Sequence, residues 1–562
     1  MVSEMKVLLI AINAKYVHTN LAVRYLKKAA ENVCDVDIME YSINDSIFSV
    51  ERSIMLAQPD IVAFSCYIWN MDFILQLCSD LKKALPATKI ILGGPEVSYD
   101  SGEVLRKYDY LDYVIIGEGE FNFPQLLQHI DESSSDIPSS VTYRNGNEII
   151  TGVSPEPIPL DVISFPYDGS ISELDGRIIY YESSRGCPYA CKYCLSGERG
   201  NVRFRSLELV YKELKFFADN NVSLVKFVDR TFNADKKRAE NIWQYIDSLN
   251  TSTRFHMEIT GELITDEAID LLKKVNPENL QFEIGVQSTN TNTLNAIDRR
   301  CNNNNLFKSI SRLLSETDIH IHLDLIAGLP YEDFDSFKKS FNDVVALRPH
   351  VLQIGFLKLL KGSSLRDEAE KYAMIYRDNA PYEIIANNFI SYEEILFLKD
   401  LDFVFDKYYN SSSFTKTINF LFERFENKFE MFSEIVNYFR KHGYINATFS
   451  KAKLYDILYD CFGYIGNEFA DNLKFDLIKA MHPGKLPDWC KADETFRFSD
   501  EVYLFLKNEE IKKNVIPKYF GVPAKIIIKH VRFEKFTNKI LMFDFRDNEV
   551  YDVTEYFNTR EV

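Results

Sequence analysis

The chain has 562 residues, of which 46% are hydrophobic and 26% charged, so it can form several ordinary globular cores. Its formal net charge of −18 argues against a generally basic surface, and therefore against nucleic acid or an anionic membrane as a partner. No stretch approaches the length of a membrane span, and the apolar run at residues 7–12 is too short for a signal peptide. We therefore expect a cytoplasmic protein whose nine cysteines stay reduced, where clustered thiols indicate metal binding or catalysis.

The first 130 residues alternate between short β-branched runs and amphipathic helical stretches. The predicted strands cover residues 6–12, 36–41, 61–67, 89–92 and 113–116, and clear helical patterns lie at 21–32 and 71–84. Strands separated by helices indicate a parallel sheet with crossover connections. Residues 1–130 are therefore expected to form a doubly wound domain with five parallel strands.

Residues 131–175 have a different composition. Serine dominates residues 133–140, and Asn145-Gly146 lies between two β-prone runs, as in a hairpin turn. Four prolines then follow closely, at positions 155, 157, 159 and 166. This composition predicts a linker that contains one small hairpin.

A second β/α series occupies residues 176–364. Its predicted strands are 178–183, 224–228, 255–260, 280–286, 319–326 and 351–357. Six parallel strands are too few to close a full barrel, so we expect an open, partial (β/α)6 barrel. Ligands of such sheets bind at the C-terminal ends of the strands.

Residues 365–562 lose this rhythm and are rich in aromatic side chains. Helical patterns lie at 418–438 and 454–462, and two β-prone runs, 525–533 and 539–545, flank Thr537-Asn538 as in a hairpin. We expect a separate mixed, mostly helical domain here. The fold class is thus α/β, with a doubly wound sheet, a partial barrel and a mostly helical C-terminal domain.

Three cysteines follow the first predicted strand of the barrel with the spacing C-x3-C-x2-C: Cys187, Cys191 and Cys194. Three thiolates can hold three irons of a [4Fe–4S] cluster, and the missing fourth ligand leaves one iron open to another molecule. The alternatives are a zinc loop and a chance group of buried thiols. Zinc would need a fourth ligand, and the nearest histidines in sequence, His129 and His256, are far from the loop.

This motif, with Tyr193 directly before the last cysteine, resembles that of the radical SAM superfamily, whose partial barrel also agrees with six β/α units. The resemblance implies that S-adenosylmethionine (SAM) binds the open iron and is cleaved to a 5′-deoxyadenosyl radical. Tyr193 is accordingly counted among the cofactor-binding residues. By position, the implied SAM contacts on later strands are Asp229, Glu258, Gln287, Ser288 and Ala327. For Glu258 an exposed strand carboxylate is the alternative, and for residues 326–330 a plain turn.

A doubly wound domain ahead of such a barrel resembles the cobalamin-binding domain of one branch of this superfamily. The implied cobalamin contacts lie at the ends of the third, fourth and fifth strands: Ser65, Gly93, Gly94, Glu118 and Gly119. The D-x-H-x-x-G motif of cobalt-ligating domains is absent, so we expect no histidine on cobalt and interpret His18 as a polar loop residue.

A rival interpretation rests on the three N-terminal cysteines, Cys34, Cys66 and Cys78. Methylthiotransferases carry a second cluster on three such residues, but there the first cysteine follows the first strand. Here Asn13-Ala14-Lys15 occupies that place, so we interpret all three as packed thiols.

The resemblance implies a cobalamin-dependent radical SAM enzyme, foremost a methyltransferase that acts on an unactivated carbon. Its cofactors would be a [4Fe–4S] cluster, SAM and cobalamin. Its partners would be a small-molecule or peptide substrate and an electron donor such as flavodoxin or ferredoxin. Two alternatives stay open: a radical SAM enzyme of another reaction type, such as cyclisation, rearrangement or methylthiolation, and a non-catalytic protein that senses cobalamin or redox state.

Overall fold

The computed structural model describes residues 3–167, 169, 171–196, 201–482, 486–490, 494–497 and 499–558. The chain divides into two compact units, Met1–Ile395 and Leu396–Val562. Within the described ranges, every helix is either too short or too polar to cross a membrane.

The first unit begins with a seven-stranded sheet of order β2-β1-β3-β4-β5-β6-β7. Its strands are β1 (Ser3–Asn13), β2 (Cys34–Ser42), β3 (Ile61–Ser65), β4 (Lys89–Gly93), β5 (Tyr113–Ile115), β6 (Val141–Asn145) and β7 (Glu148–Ile150). The helices that accompany them are α1 (Leu21–Ala30), α2 (Ile47–Ala57), α3 (Met71–Ala84), α4 (Pro95–Ser98), α5 (Ser101–Lys107) and α6 (Gly119–Ile130). The first five strands pair in parallel, which confirms the predicted doubly wound sheet.

Both faces of this sheet are buried at its centre, which explains why the central strands β1, β3 and β4 contain continuous hydrophobic runs. On β1, Leu8 and Ile10 pack in one core, while Val7 and Leu9 pack in the core on the opposite face. The hairpin predicted within a linker does form, but β6 pairs antiparallel with β5. The hairpin therefore extends the sheet instead of lying in a linker.

The second sheet of this unit has six parallel strands in the order β15-β14-β13-β12-β11-β8. Together with a two-stranded ribbon, β9–β10, the strands are β8 (Ile179–Tyr181), β9 (Ser184–Arg185), β10 (Arg203–Phe204), β11 (Leu224–Phe227), β12 (Arg254–Glu258), β13 (Leu280–Gln287), β14 (His320–Ala327) and β15 (Val351–Phe356). The intervening helices are α7 (Leu207–Asp219), α8 (Lys236–Ser248), α9 (Asp266–Leu272), α10 (Thr291–Ala296), α11 (Asn303–Glu316) and α12 (Phe334–Ala346). The predicted six-unit partial barrel is confirmed.

Burial alternates along the barrel strands. On β14, Ile321 and Leu323 are fully buried, whereas the alternate positions, His320, His322 and Asp324, are polar and partly exposed. The polar set contacts its counterparts on neighbouring strands; for example, Gln281 Nε2 lies 2.7 Å from His322 Nε2. Apolar side chains therefore pack on one face of this sheet, and polar groups occupy the other.

The first unit ends with α13 (Ser364–Asp367), β16 (Ile375–Tyr376), β17 (Ile384–Ala386) and the start of α14 (Tyr392–Phe405). The second unit contains α15 (Thr415–Arg424), α16 (Lys428–Lys441), α17 (Lys451–Phe462), α18 (Asn467–Met481), α19 (Glu494–Arg497), α20 (Asp500–Lys507), α21 (Glu509–Val515), α22 (Ala524–Ile527), β18 (Val531–Lys535), β19 (Ile540–Asp544), β20 (Glu549–Asp552) and α23 (Thr554–Asn558). It is mostly helical, as predicted.

Two local expectations in the second unit need correction. The helical pattern at 418–438 is interrupted, because α15 ends at Arg424 and Asn427 caps α16 by accepting a hydrogen bond from Glu430 N. The predicted C-terminal hairpin forms from β18 and β19, but its first run begins as helix α22, and β20 adds a third strand.

Candidate functional site

The three predicted cluster cysteines lie on one loop, bracketed by the ribbon β9–β10. Arg185 at the start of the loop is the register partner of Arg203 at its end. Cys194 N donates to Cys191 O at 3.0 Å, so the loop turns tightly between these two residues. Cys191 is buried, whereas Cys187 and Cys194 are partly exposed.

Gly186, at the start of this loop, lies against the backbone of Asn201, near the end of the loop, and leaves no room for a side chain. Its φ is +105°, and a Cβ added there would lie 2.2 Å from Asn201 O. Any other residue would therefore clash with the backbone as well as adopt a strained conformation. The glycine keeps the two ends of the loop close together.

The surroundings of the thiols are cationic as well as apolar. Burial raises the pKa of the Cys191 thiol, and the neighbouring thiols of Cys194 and Cys187 raise it further. The charge of the Arg299 guanidinium and its hydrogen bond to Cys191 oppose this rise. Arg299 in turn donates to Gly285 O on β13. Tyr193 is partly buried beside Arg299 and Cys191, and Thr231 Oγ1 lies 3.4 Å from Cys187 Sγ.

The donor set fits an iron–sulfur cluster: three thiols on one loop, close enough to influence one another, beside the partly buried guanidinium group of Arg299. Over the described part of the chain, no group of three or more His, Cys, Asp or Glu side chains is arranged to hold a single metal ion. Each thiolate of a [4Fe–4S] cube binds a different iron, so the cluster does not require such an arrangement. Assignment of Cys187, Cys191 and Cys194 as its ligands stays a prediction.

Asp229, a predicted SAM contact after β11, is fully engaged by the residues that precede the cysteine loop. Its carboxylate accepts from Ser183 N at 2.9 Å and from the hydroxyls of Ser183 and Ser184, each at 2.6 Å. Burial raises its pKa to about 6 in spite of these hydrogen bonds. Asp229 thus fixes the position from which the loop begins, and a SAM contact would have to share these oxygens.

The C-terminal end of β13 has features expected of a ligand site. Gln287 adopts φ +70°, and its buried Oε1 has no hydrogen-bond partner among the described residues. The buried Nε of Arg299 also has no partner within this part of the chain. A Cβ on Gly285 would lie 2.1 Å from Gln287 Nε2 and 3.8 Å from Arg299 Nη2, so both side chains crowd this glycine. An unpaired donor and acceptor here suit a polar ligand such as SAM.

Two further SAM candidates on later strands, Ser288 and Ala327, have structural partners. Ser288 is fully buried, accepts from Asn290 N at 2.9 Å and hydrogen-bonds Glu332. Ala327 is fully buried at the end of β14, where its carbonyl accepts from Leu357 N at 3.0 Å. Their contact with SAM stays a prediction.

A cavity of about 770 Å³ is lined by the C-terminal strand ends of both sheets. All five predicted cobalamin contacts line it, and so does Glu258 from the barrel. Ser65, at the end of β3, accepts from Asn20 Nδ2 at 3.0 Å. Burial raises the pKa of Glu258, although the charge of Arg230 opposes this effect. The size and partly apolar lining are those of a cofactor or substrate pocket.

Three of these cavity residues also have contacts within the protein. Gly94 adopts φ +112°, and a Cβ there would lie 2.5 Å from Cys66 O. Gly119 begins α6, where a Cβ would lie 2.8 Å from Leu26 Cδ2. Glu118 forms ion pairs with Arg185 and Arg203. Packing of the protein itself therefore accounts for these residues, and their contact with cobalamin stays a prediction.

The loop after β1 places His18 at the same cavity. Its Nδ1 lies 2.9 Å from Tyr180 Oη of β8, and burial lowers its pKa below 6.5. Cys34, Cys66 and Cys78 are all buried in the cores of the N-terminal sheet, as expected of packed thiols.

The polar face of the barrel sheet carries charged side chains, one of which, Lys226, lines the cavity. Glu283 Oε2 accepts from Lys226 Nζ at 3.2 Å and pairs with His256 Nε2 at 2.8 Å. Burial alone would raise the pKa of Glu283, but these two partners hold it at about 2. Asp324 is partly buried, its buried Oδ1 has no partner among the described residues, and desolvation raises its pKa well above the usual range.

Sequence reasoning missed three arginines that contact the cysteine loop or flank it: Arg185, Arg203 and Arg299. Arg185 stands two positions before Cys187, which is the one signal that the sequence offers. The carboxylate partners of Arg185 and Arg203 lie far away along the chain, so their pairing follows only from the fold.

Family models match successive parts of the chain. Residues 7–127 match the B12 binding domain, and residues 181–344 match the radical SAM superfamily. The chain thus combines a B12 binding domain with a radical SAM domain. Residues 370–554 of this radical SAM protein match the family described as Protein of unknown function (DUF4080), which covers most of the second unit.

Curated relatives include two methyltransferases. The cobalamin-dependent radical SAM methyltransferase TokK of Streptomyces tokunonensis is 26% identical over 59% of this chain and 53% of its own length. The 2-(S-pantetheinyl)-carbapenam-3-carboxylate methyltransferase of Streptantibioticus cattleyicolor is 26% identical over 55% of this chain and 49% of its own length. The chain thus spans about half the length of these relatives.

Among solved structures, the cobalamin-dependent SAM radical enzyme OxsB, with aqua-cobalamin and SAM bound, has a TM-score of 0.61. It is 14% identical, and the match covers 87% of this chain and 83% of OxsB. The radical SAM methyltransferase TsrM of Kitasatospora setae, with cobalamin and a [4Fe–4S] cluster, has a TM-score of 0.55 at 15% identity, over 67% of this chain and 80% of TsrM. Both likenesses show the shared fold.

Proposed function

We propose that this radical SAM protein is a cobalamin-dependent methyltransferase that methylates an unactivated carbon. One observation carries the proposal. The cavity of about 770 Å³ is lined both by the strand ends of a B12-type sheet and by those of the barrel that carries the C-x3-C-x2-C loop. A donor of a methyl group and a source of a carbon radical would thus share one space.

Different residues of the chain would hold the cluster and the cobalamin. Cys187, Cys191 and Cys194 would bind three irons of a [4Fe–4S] cluster, and Ser65 and Gly93 lie where cobalamin would approach the sheet. When bound, the cluster would supply the electron that splits SAM into methionine and a 5′-deoxyadenosyl radical, and cobalamin would supply the methyl group. The protein holds these groups in place and keeps water away from them.

Polar groups of the barrel would orient SAM. Gln287 Oε1 and Arg299 Nε are buried without partners among the described residues, and they offer one acceptor and one donor beside the cysteine loop. Asp229 acts one step further away, since it holds Ser183 and Ser184, from which the loop departs. Polar groups that are already in position need no reorganisation when the ligand binds.

The two methyltransferase relatives support methyl transfer, and one of them is named for a small carboxylated substrate. We accordingly propose a small-molecule substrate and an external electron donor. Cyclisation or rearrangement on the same scaffold is the alternative within the enzyme class, and product analysis separates these reactions.

The proposal is tested by anaerobic reconstitution with iron, sulfide and hydroxocobalamin. We expect about four irons and one cobalamin per chain, and 5′-deoxyadenosine after reduction with SAM present. Alanine at Cys187, Cys191 or Cys194 should remove the iron, whereas Cys461→Ala, a matched change in α17, should retain it. Iron without cobalamin would refute methyl transfer but leave the radical chemistry. If none of the preparations formed 5′-deoxyadenosine, the proposal that the protein is a radical SAM enzyme would be refuted, and a sensor would be favoured.

A further inference from the structure

The cysteine loop is fastened to the N-terminal domain at both of its ends by one carboxylate. Arg185, at the start, places Nη1 3.1 Å from Glu118 Oε2. Arg203, at the end, places Nη1 3.3 Å from the same oxygen and forms a second, closer contact with Glu118 Oε1. Because Arg185 and Arg203 are register partners in the ribbon β9–β10, the two guanidinium groups reach Glu118 side by side.

The two arginines differ in their other partners. Arg185 also pairs with Glu120 at 2.8 Å and with Glu182 at 2.6 Å, so it keeps two carboxylates if Glu118 is lost. Arg203 pairs with no other carboxylate within the described ranges, and its remaining hydrogen bond is to Ile158 O. Glu118 is therefore the group that connects the end of the loop to the N-terminal domain.

Through Glu118, these two contacts connect the cysteine loop of the barrel to the N-terminal sheet. Glu118 precedes α6 and lies at the C-terminal edge of the N-terminal sheet, where it lines the cavity. Its side chain is 18% exposed, so its ion pairs are screened less by solvent than surface pairs. Guanidinium groups that share one carboxylate also fix direction, because each N–H···O bond requires a narrow range of angles.

We propose that Glu118 is a positioning residue that sets the cysteine loop at a fixed place relative to the cobalamin side of the cavity. In this role its carboxylate faces Arg185 and Arg203 and is not a cobalamin contact. The inference rests on the proposed cofactors, since it matters for catalysis only if the loop carries the cluster. Its mechanical part, the fastening of the loop, holds for the protein without cofactors.

Glu118→Gln tests this role, because glutamine keeps the size of the side chain and removes its charge. We expect iron and cobalamin contents within about two-fold of wild type, and a broadened EPR spectrum of the reduced cluster. Formation of 5′-deoxyadenosine should slow by roughly ten- to a hundred-fold, the scale seen when reacting groups are misplaced by about 1 Å. Glu103→Gln is the matched control, since Glu103 belongs to the same domain and is 74% exposed. It should change none of these readings.

Two further measurements test the attachment of the loop and the coupling between Glu118 and Arg203. In the protein without cofactors, hydrogen exchange at residues 186–196 should speed up in Glu118→Gln and stay unchanged in Glu103→Gln. Arg203→Gln should also slow the cleavage, and the double variant Glu118→Gln/Arg203→Gln should be no slower than Glu118→Gln alone, because the pair between Glu118 and Arg203 is already absent from that single variant.

The opposite pattern would overturn the inference. If Glu118→Gln weakened hydroxocobalamin binding while the EPR spectrum and the cleavage rate stayed as in wild type, Glu118 would be a cobalamin contact. Additive effects of the two substitutions would likewise show that Glu118 and Arg203 act separately. Absence of iron from the wild-type protein would instead refute the proposed function, and the exchange experiment would still decide the fastening of the loop.

Discussion

Substitution of Gly94 by alanine should destabilise the N-terminal sheet. Gly94 adopts φ +112° and ψ 171°, a backbone conformation that residues other than glycine adopt only with strain of roughly 1–3 kcal/mol. The new Cβ would also lie 2.5 Å from Cys66 O and 3.0 Å from Cys66 N, both of them backbone atoms that cannot rotate away. Overpacking of this kind costs roughly another 1–3 kcal/mol.

The neighbouring Gly93 provides the matched control. A Cβ there would meet Ile115 O at 3.8 Å, which is an ordinary contact, so Gly93→Ala should change the free energy of unfolding by less than about 1 kcal/mol. Gly93 also lines the cavity, and if the backbone must approach cobalamin closely there, Gly93→Ala should weaken cobalamin binding. The two adjacent substitutions thus separate fold stability from ligand binding.

The assay is thermal unfolding followed by circular dichroism, together with titration of hydroxocobalamin by its visible absorbance. A loss of about 2–6 kcal/mol lowers the melting temperature of a cooperative domain of about 150 residues, roughly the size of the N-terminal domain, by at least about 4 °C. Gly94→Ala should show this shift and Gly93→Ala should not. Equal melting temperatures for the two variants would refute the steric argument, and tight cobalamin binding by both would refute close backbone approach at Gly93.

Two other predictions concern charges near the predicted SAM site. Burial raises the pKa of Glu332 from 4.5 to about 7, so its protonated form stabilises the fold below about pH 4.5 and this contribution is lost as the pH rises through 7. Wild type should therefore lose roughly 3 kcal/mol relative to Glu332→Gln between pH 4.5 and 8 in urea unfolding, and a difference that does not vary with pH would contradict this. Arg299→Gln should move the reduction potential of the cluster to more negative values in an EPR-monitored titration, because the reduced cluster loses the cation that hydrogen-bonds Cys191. Arg300→Gln, a change at an exposed neighbouring residue, should leave the reduction potential unchanged.

The fold follows from the sequence because its signal is local. The hydrophobic runs of β1 and β4 and the alternation of β13 and β14 are each readable within ten residues or so, and the helices between them imply parallel pairing. The hairpin at 141–150 was harder, because its own turn is clear but its pairing with β5 depends on an edge that the sequence does not display.

The site is only partly readable for the same reason. Three cysteines close together in sequence are recognisable as a motif, whereas Glu118 and Arg203 are 85 positions apart and come into contact only after folding. A residue type at a strand end also does not reveal its partner. Asp229 stands where a SAM contact is expected, yet its oxygens already hold Ser183 and Ser184.

The alternation along β13 and β14 has a consequence for how this scaffold can diversify. The apolar positions, such as Ile321 and Leu323, carry the packing, while the intervening polar positions, such as His322 and Asp324, carry none of that apolar core. Mutations on the polar side can therefore accumulate without eroding the core. Descendants of one ancestral chain could thus acquire new substrates while inheriting the same barrel.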